Sequence, residues 1–145
     1  WFSNRTKSIV KSPKLYFADS GLLCALLNIR TEEMLSYSPA AGAVWETFVF
    51  AQLRHRENRA GRTGSLYFWR DRTREVDFVV DLGGRLEIFE AKWTELPAAT
   101  DAVNLGFVRQ VVGKARIASG TIVCRAPNGF PLDGGFHALP VHELG

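Results

Sequence analysis

The stretch from Glu75 to Lys92, EVDFVVDLGGRLEIFEAK, carries the residues best placed to do chemistry. Gly83-Gly84 is a strong signal for a two-residue hairpin turn, because both glycines accept the positive φ that such turns require. That turn would set the register of the flanking strands. Asp77 then falls opposite Glu90, and Lys92 follows Glu90 at the two-residue spacing that keeps side chains on one face of a strand. Opposed side chains have Cβ atoms about 5 Å apart, and two carboxylates so placed repel each other unless something neutralises them. A divalent cation would do so. The alternative is a charged hairpin end facing solvent, and a one-residue bulge would move Asp77 away. The same face receives Val79, Leu86 and Ile88, and the other Val76, Phe78, Val80 and Phe89. Both faces therefore need cover, with the acids at the edge of a covered apolar surface.

A third carboxylate joins them from a helix expected over residues 39–58. Glu46 lies three and seven residues before Val49 and Leu53, on a stripe that should face the core, so it needs a partner. An arginine is the simplest alternative partner. Glu46, Asp77, Glu90 and Lys92 together are the parts for metal-assisted phosphodiester hydrolysis. Carboxylates hold Mg²⁺ (or Mn²⁺), and the metal activates water and polarises the phosphoryl oxygen. A nearby ammonium orients the nucleophile or stabilises the transition-state charge. Flanking arginines, Arg70, Arg72 and Arg74 among them, would hold a phosphate backbone without choosing sequence.

Several elements must position these groups. Residues 14–18 read as a short strand, and Asp19 as the N-cap of a helix over 20–28. Ser38-Pro39 offers a cap and first-turn proline for the helix that bears Glu46. Residues 65–69, 75–82 and 85–91 read as a three-strand antiparallel meander. Asp101 can cap a helix to about Val112, and residues 121–125 read as a strand that a right-handed crossover lays parallel to the meander. Residues 136–139 are a candidate edge strand. The expected fold class is α/β: a mixed central sheet, antiparallel meander plus parallel crossover strand, flanked by helices.

At 145 residues, with 46% hydrophobic and 23% charged, the chain suits one folded domain over 1–145. Its longest apolar run, residues 22–27, is too short to cross a bilayer, so no membrane partner is expected. Cys24 and Cys124 sit in apolar runs as small core residues, which fits the cytoplasm. His55, His137 and His142 show no metal-ligand spacing. The chain opens Trp1-Phe2-Ser3, so it is expected to be cut from something longer. Net charge is +3, yet unevenly spread: residues 1–14 carry +4, residues 54–74 carry +5 and the remainder −6. Two basic patches on an acidic body suit a polyanion partner.

Helix glutamate, strand aspartate and then Glu90-Ala91-Lys92 resemble the PD-(D/E)XK nuclease superfamily, with its restriction-endonuclease-like fold. More narrowly, Lys11-Ser12-Pro13-Lys14-Leu15-Tyr16-Phe17-Ala18-Asp19-Ser20-Gly21-Leu22, Gly42-Ala43-Val44-Trp45-Glu46 and Glu75-Val76-Asp77-Phe78 resemble an uncharacterised C-terminal domain. In many prokaryotic proteins that domain follows an AAA-type ATPase module and a winged helix. The resemblance implies metal-binding roles for Asp77 and Glu90, with the backbone carbonyl of Ala91 as a further ligand. It implies a catalytic role for Lys92 and a supporting one for Glu46. DNA is the implied substrate, and residues 1–13 are the implied tail of an upstream winged-helix and ATPase region. Val76 stands where the superfamily's name calls for proline. No GxxxxGK[ST] phosphate loop is present, so this stretch should not hydrolyse ATP. The alternative function is a non-catalytic module that binds nucleic acid or protein and regulates the attached ATPase.

Overall fold

Gly83 and Gly84 do reverse the chain. In the computed structural model, which describes residues 14–144, both have positive φ (80° and 111°), and the Leu82 N–H donates to the Arg85 carbonyl at 2.8 Å. The turn joins β2 (Glu75–Asp81) to β3 (Leu86–Ala91) with Phe78 opposite Phe89 and Val79 opposite Ile88, the register expected from the sequence. Strand β1 (Leu66–Arg70) pairs antiparallel with β2 and completes the meander.

Beyond β3 the chain crosses over through a 3₁₀ turn at Ala99–Ala102 and α4 (Val103–Val112) to β4 (Ile117–Cys124), which pairs parallel with β3. Strands β5 (Phe130–Leu132) and β6 (Phe136–Pro140) finish a six-stranded mixed sheet of order β1-β2-β3-β4-β6-β5. Strand β6 is therefore internal and β5 takes the edge, a correction to the expected edge strand at 136–139. Its internal place follows from burial: Phe136 and Ala138 are packed in the core.

Helices cover both faces of the hairpin, as its two-sided apolar pattern demands. Trp45, Val49 and Leu53 of α3 (Ala41–Arg59) pack on Phe78, Val80, Phe89 and Val123, and the Trp45 indole N–H donates to the Val123 carbonyl at 3.1 Å. On the opposite face, Leu105 and Val108 of α4 pack on Val79, Leu86, Ile88 and Ile122. Two small helices precede α3: α1 (Ser20–Leu26), where Asp19 accepts from the Leu22 N–H at 2.7 Å, and α2 (Glu32–Ser36), capped by Thr31. No described helix is long and apolar enough to cross a membrane.

The structure departs from the expected elements in instructive places. Residues 14–18 form no strand; Lys14 and Tyr16 instead send their side chains onto α3 and β2. Helix α3 starts at Ala41, because Ser38 spends its hydroxyl on the Ala40 N–H in the preceding turn. Asp101 lies within the 3₁₀ turn, accepting from the Ala98 N–H at 2.9 Å, so α4 begins two residues later. Val76 packs with Val79 and Ile88 rather than with Phe78. The cause is a bulge: between the pairs Tyr67–Val79 and Trp69–Val76, β2 places two residues, Asp77 and Phe78, against the single Phe68 of β1.

Candidate functional site

The bulge at Asp77 and the end of β3 together build the site. Such an extra residue bends the strand and re-aims the side chain at that point. It does not carry Asp77 away. One Asp77 oxygen, Oδ2, accepts the Ala91 N–H at 3.0 Å, tying the carboxylate to β3 beside Glu90. Glu90 is 3% exposed, and its Oε1 accepts from Asn104 Nδ2 on α4 at 3.3 Å. Burial, followed by a hydrogen bond to Asp77 and that residue's negative charge, pushes the Glu90 carboxyl up to about 9, against smaller opposing effects of Lys92 and Asn104. Burial beside Asp77 therefore favours a protonated Glu90 at neutral pH.

Glu46 approaches from α3, half-buried at the edge of the Trp45–Val49–Leu53 stripe. The side chains of Glu46, Asp77, Glu90 and Lys92, with Ala91, line one cavity of about 410 Å³, so the structure brings the four candidate catalytic residues together. Gly42, in the first turn of α3, opens onto the same space and has no heavy atom within 4 Å of where a Cβ would stand. Lys92 makes no ion pair among the described residues, which leaves its ammonium available to the cavity.

Sequence reasoning missed the group at the centre of the acids. Lys14 Nζ donates to Glu46 Oε1 at 2.7 Å and to Asp77 Oδ1 at 3.2 Å, and it forms a close ion pair with Glu75. Burial disfavours this ammonium, but its bonds to Glu46 and Glu75 and the charge of Asp77 outweigh that and raise its pKa far above the usual lysine range. Glu46, Glu75 and Asp77 each offer an oxygen within 4.8 Å of the others. Tyr16 adds a second donor to Glu46, its hydroxyl lying 2.6 Å from Oε1, while its ring stacks on Phe50 at 4.4 Å. The partner of Glu46 is thus a lysine and a tyrosine, not an arginine. A signal existed for Glu75, two residues before Asp77 on the same strand, and for the Lys14-x-Tyr16 alternation. The Lys14 contacts themselves span 32 and 63 residues, out of reach of local spacing.

Of the candidate phosphate-binding arginines, Arg70 ends β1 opposite Glu75, while Arg72 and Arg74 sit on the β1–β2 connection. Arg70 pairs closely with Glu75, which its guanidinium and Lys14 hold below the ordinary carboxylate range despite burial. Arg74 lies over the Phe107 ring at 4.3 Å, and Arg72 is exposed. Elsewhere in the basic stretch 54–74, Arg56 and Arg62 are committed to Glu57, which is 2% exposed, and Arg56 also reaches Glu87. Burial would raise the Glu57 carboxyl, but bonds from Arg62 and Ser65 and the charge of Arg56 keep it lowered. Trp69 and Trp93 are packing residues: Trp69 lies against Phe107, and Trp93 against Trp45 and the Arg125 guanidinium.

Residues 41–144, which carry the whole sheet and all four cavity residues, match the family described as a domain of unknown function, DUF4143. The chain belongs to the DUF4143 family. A second domain of unknown function, DUF8612, matches residues 1–33, a stretch that takes in Lys14 and Tyr16. Among curated proteins, an uncharacterised protein of Mycobacterium bovis, Mb2031c, and one of Mycobacterium tuberculosis, Rv2008c, are each 35% identical over 145 residues. That match covers 99% of this DUF4143 chain but 31% of either relative, so the chain spans about a third of their length. No solved structure matches the chain.

Proposed function

We propose that this domain is a metal-dependent nuclease of the restriction-endonuclease-like, PD-(D/E)XK type, hydrolysing phosphodiester bonds of DNA. The observation that carries the reading is the convergence of Glu46, Asp77, Glu90 and Lys92, from a helix and two adjacent strands, on one cavity. The donor set suits a hard divalent cation, being made of carboxylate and carbonyl oxygens. Asp77, Glu90 and the Ala91 carbonyl would hold Mg²⁺ or Mn²⁺, which supplies Lewis acidity and a water of lowered pKa. Lys92 brings a positive charge to the scissile phosphate, where charge builds as the bond breaks. Glu46 can accept a proton from the attacking water or hold it in line. Arg70, Arg72 and Arg74 would grip the backbone. In the same proposal the domain is the C-terminal part of a cytoplasmic AAA-type ATPase, for which the much greater length of the mycobacterial relatives leaves room.

Plasmid cleavage with Mg²⁺ or Mn²⁺ is the test. Cutting should occur, EDTA should stop it, and Lys92→Ala or Asp77→Ala should reduce it at least a hundredfold, as expected for loss of a group that stabilises transition-state charge. DNA binding without metal-dependent cutting would replace this reading with a second one, a non-catalytic binding module that regulates the attached ATPase. One feature favours that alternative: Lys14 already balances the acids that the cation would otherwise neutralise.

A further inference from the structure

We propose that Lys14 is a tethered plug of the acid site, and that the segment bearing it must lift before a divalent cation can bind. This rests on the reading of Asp77 and Glu90 as metal ligands. The Lys14 ammonium takes one oxygen of Asp77 at 3.2 Å and one of Glu46 at 2.7 Å, and it also pairs with Glu75. A doubly charged ion bound to Asp77 would meet a like charge at close range, in a partly buried setting where screening is weak. Ammonium and metal therefore compete for Asp77.

The segment is built to leave. Residues 14–17 form no strand and no helix, and among the described residues their backbone makes no hydrogen bond. Leu15 is 92% exposed, so alternate side chains face water. Among the described residues, the segment is held by the Lys14 ion pairs, the Tyr16 hydroxyl on Glu46, the Tyr16 ring on Phe50 and Phe78, and the Lys14 ammonium over the Phe68 ring. Among the described residues, release breaks side-chain contacts and no strand pairing. Because Tyr16 and Lys14 both hold Glu46, withdrawing the segment also frees the third carboxylate.

Mn²⁺ titration followed by the loss of the free-ion electron paramagnetic resonance signal tests the plug. Lys14→Met should bind Mn²⁺ at least tenfold more tightly than the unaltered protein, and Lys14→Arg should not. Lys14→Met/Glu75→Gln restores charge balance and guards against a variant that fails to fold; it should show the same gain. In the unaltered protein, Mn²⁺ should accelerate tryptic cleavage after Lys14 relative to EDTA, a readout independent of catalysis. Equal Mn²⁺ affinity in the unaltered protein and both Lys14→Met variants would overturn the plug and leave the metal site standing. No binding by any of them would overturn both.

Discussion

A carboxyl group buried beside a second carboxylate resists losing its proton, and Glu90 is such a group, pushed from 4.5 up to about 9. The raised value means that the folded chain holds this proton more tightly than the unfolded chain does. Its contribution to stability is complete below the unfolded value of about 4.5 and is lost progressively as pH rises toward about 9. Glu90→Gln, neutral and of similar shape, should therefore melt higher than the unaltered protein at pH 8.5 without metal and match it near pH 4.5. Thermal melts at the two pH values check this; a variant that melts lower at pH 8.5 would show that the ionised carboxylate is what the fold needs. Metal ligation requires the ionised form, so binding should release a proton and Mg²⁺ affinity should climb between about pH 7 and 9. Calorimetric titrations in buffers of different ionisation enthalpy count that proton.

Strand β4 shows how an element can be hidden by its own residues. Residues 117–120, Ile-Ala-Ser-Gly, read as a connection, yet they form the first half of the strand because the Phe136 ring needs the space that small side chains leave. A Cβ on Gly120 would stand 2.6 Å from Phe136 Cδ1, and that ring is packed beneath the Arg109 guanidinium at 4.2 Å. Gly120→Ala should destabilise the fold by about 2 kcal/mol, the cost of overpacking, read as a lower urea midpoint at constant slope. An unchanged midpoint would mean that the ring swings aside. The hairpin was legible because Gly83-Gly84 fixes the register through local geometry, and with it the closeness of Asp77 and Glu90. Helix α3 was legible from the stripe that Glu46 shares with Val49 and Leu53, although Ser38-Pro39 pointed to a start two residues early. Helix α2, five residues long, gives too short a pattern to read. The β2 bulge has no glycine or proline to announce it, so strict alternation places Val76 on the wrong face. Lys14 was legible only as one more charge in a basic run, since its role depends on which distant acids the fold delivers to it.

Over the whole molecule, the excess of positive charge is smaller in effect than in count. Of the seven arginines in residues 54–74, Arg56 and Arg62 neutralise Glu57 and Glu87, and Arg70 neutralises Glu75, so these charges are partly spent within the fold. Arg72 and Arg74, on the loop that closes β1 onto β2, make no ion pair among the described residues. Each phosphate neutralised by a bound protein adds about 0.9 to the slope of log affinity against log salt for duplex DNA. Replacing Arg70, Arg72 and Arg74 together by Gln should therefore flatten that slope by about 2 rather than about 3, because Arg70 is already engaged by Glu75. Fluorescence anisotropy on a labelled duplex between about 50 and 200 mM salt, the range over which such contacts dominate affinity, measures it. Arg70→Gln alone should change the slope little while freeing Glu75 to pull harder on Lys14. An unchanged slope in the triple variant would place the nucleic-acid surface elsewhere, and a change near 3 would mean that DNA displaces the Arg70–Glu75 pair and so reaches the carboxylate that holds the Lys14 plug.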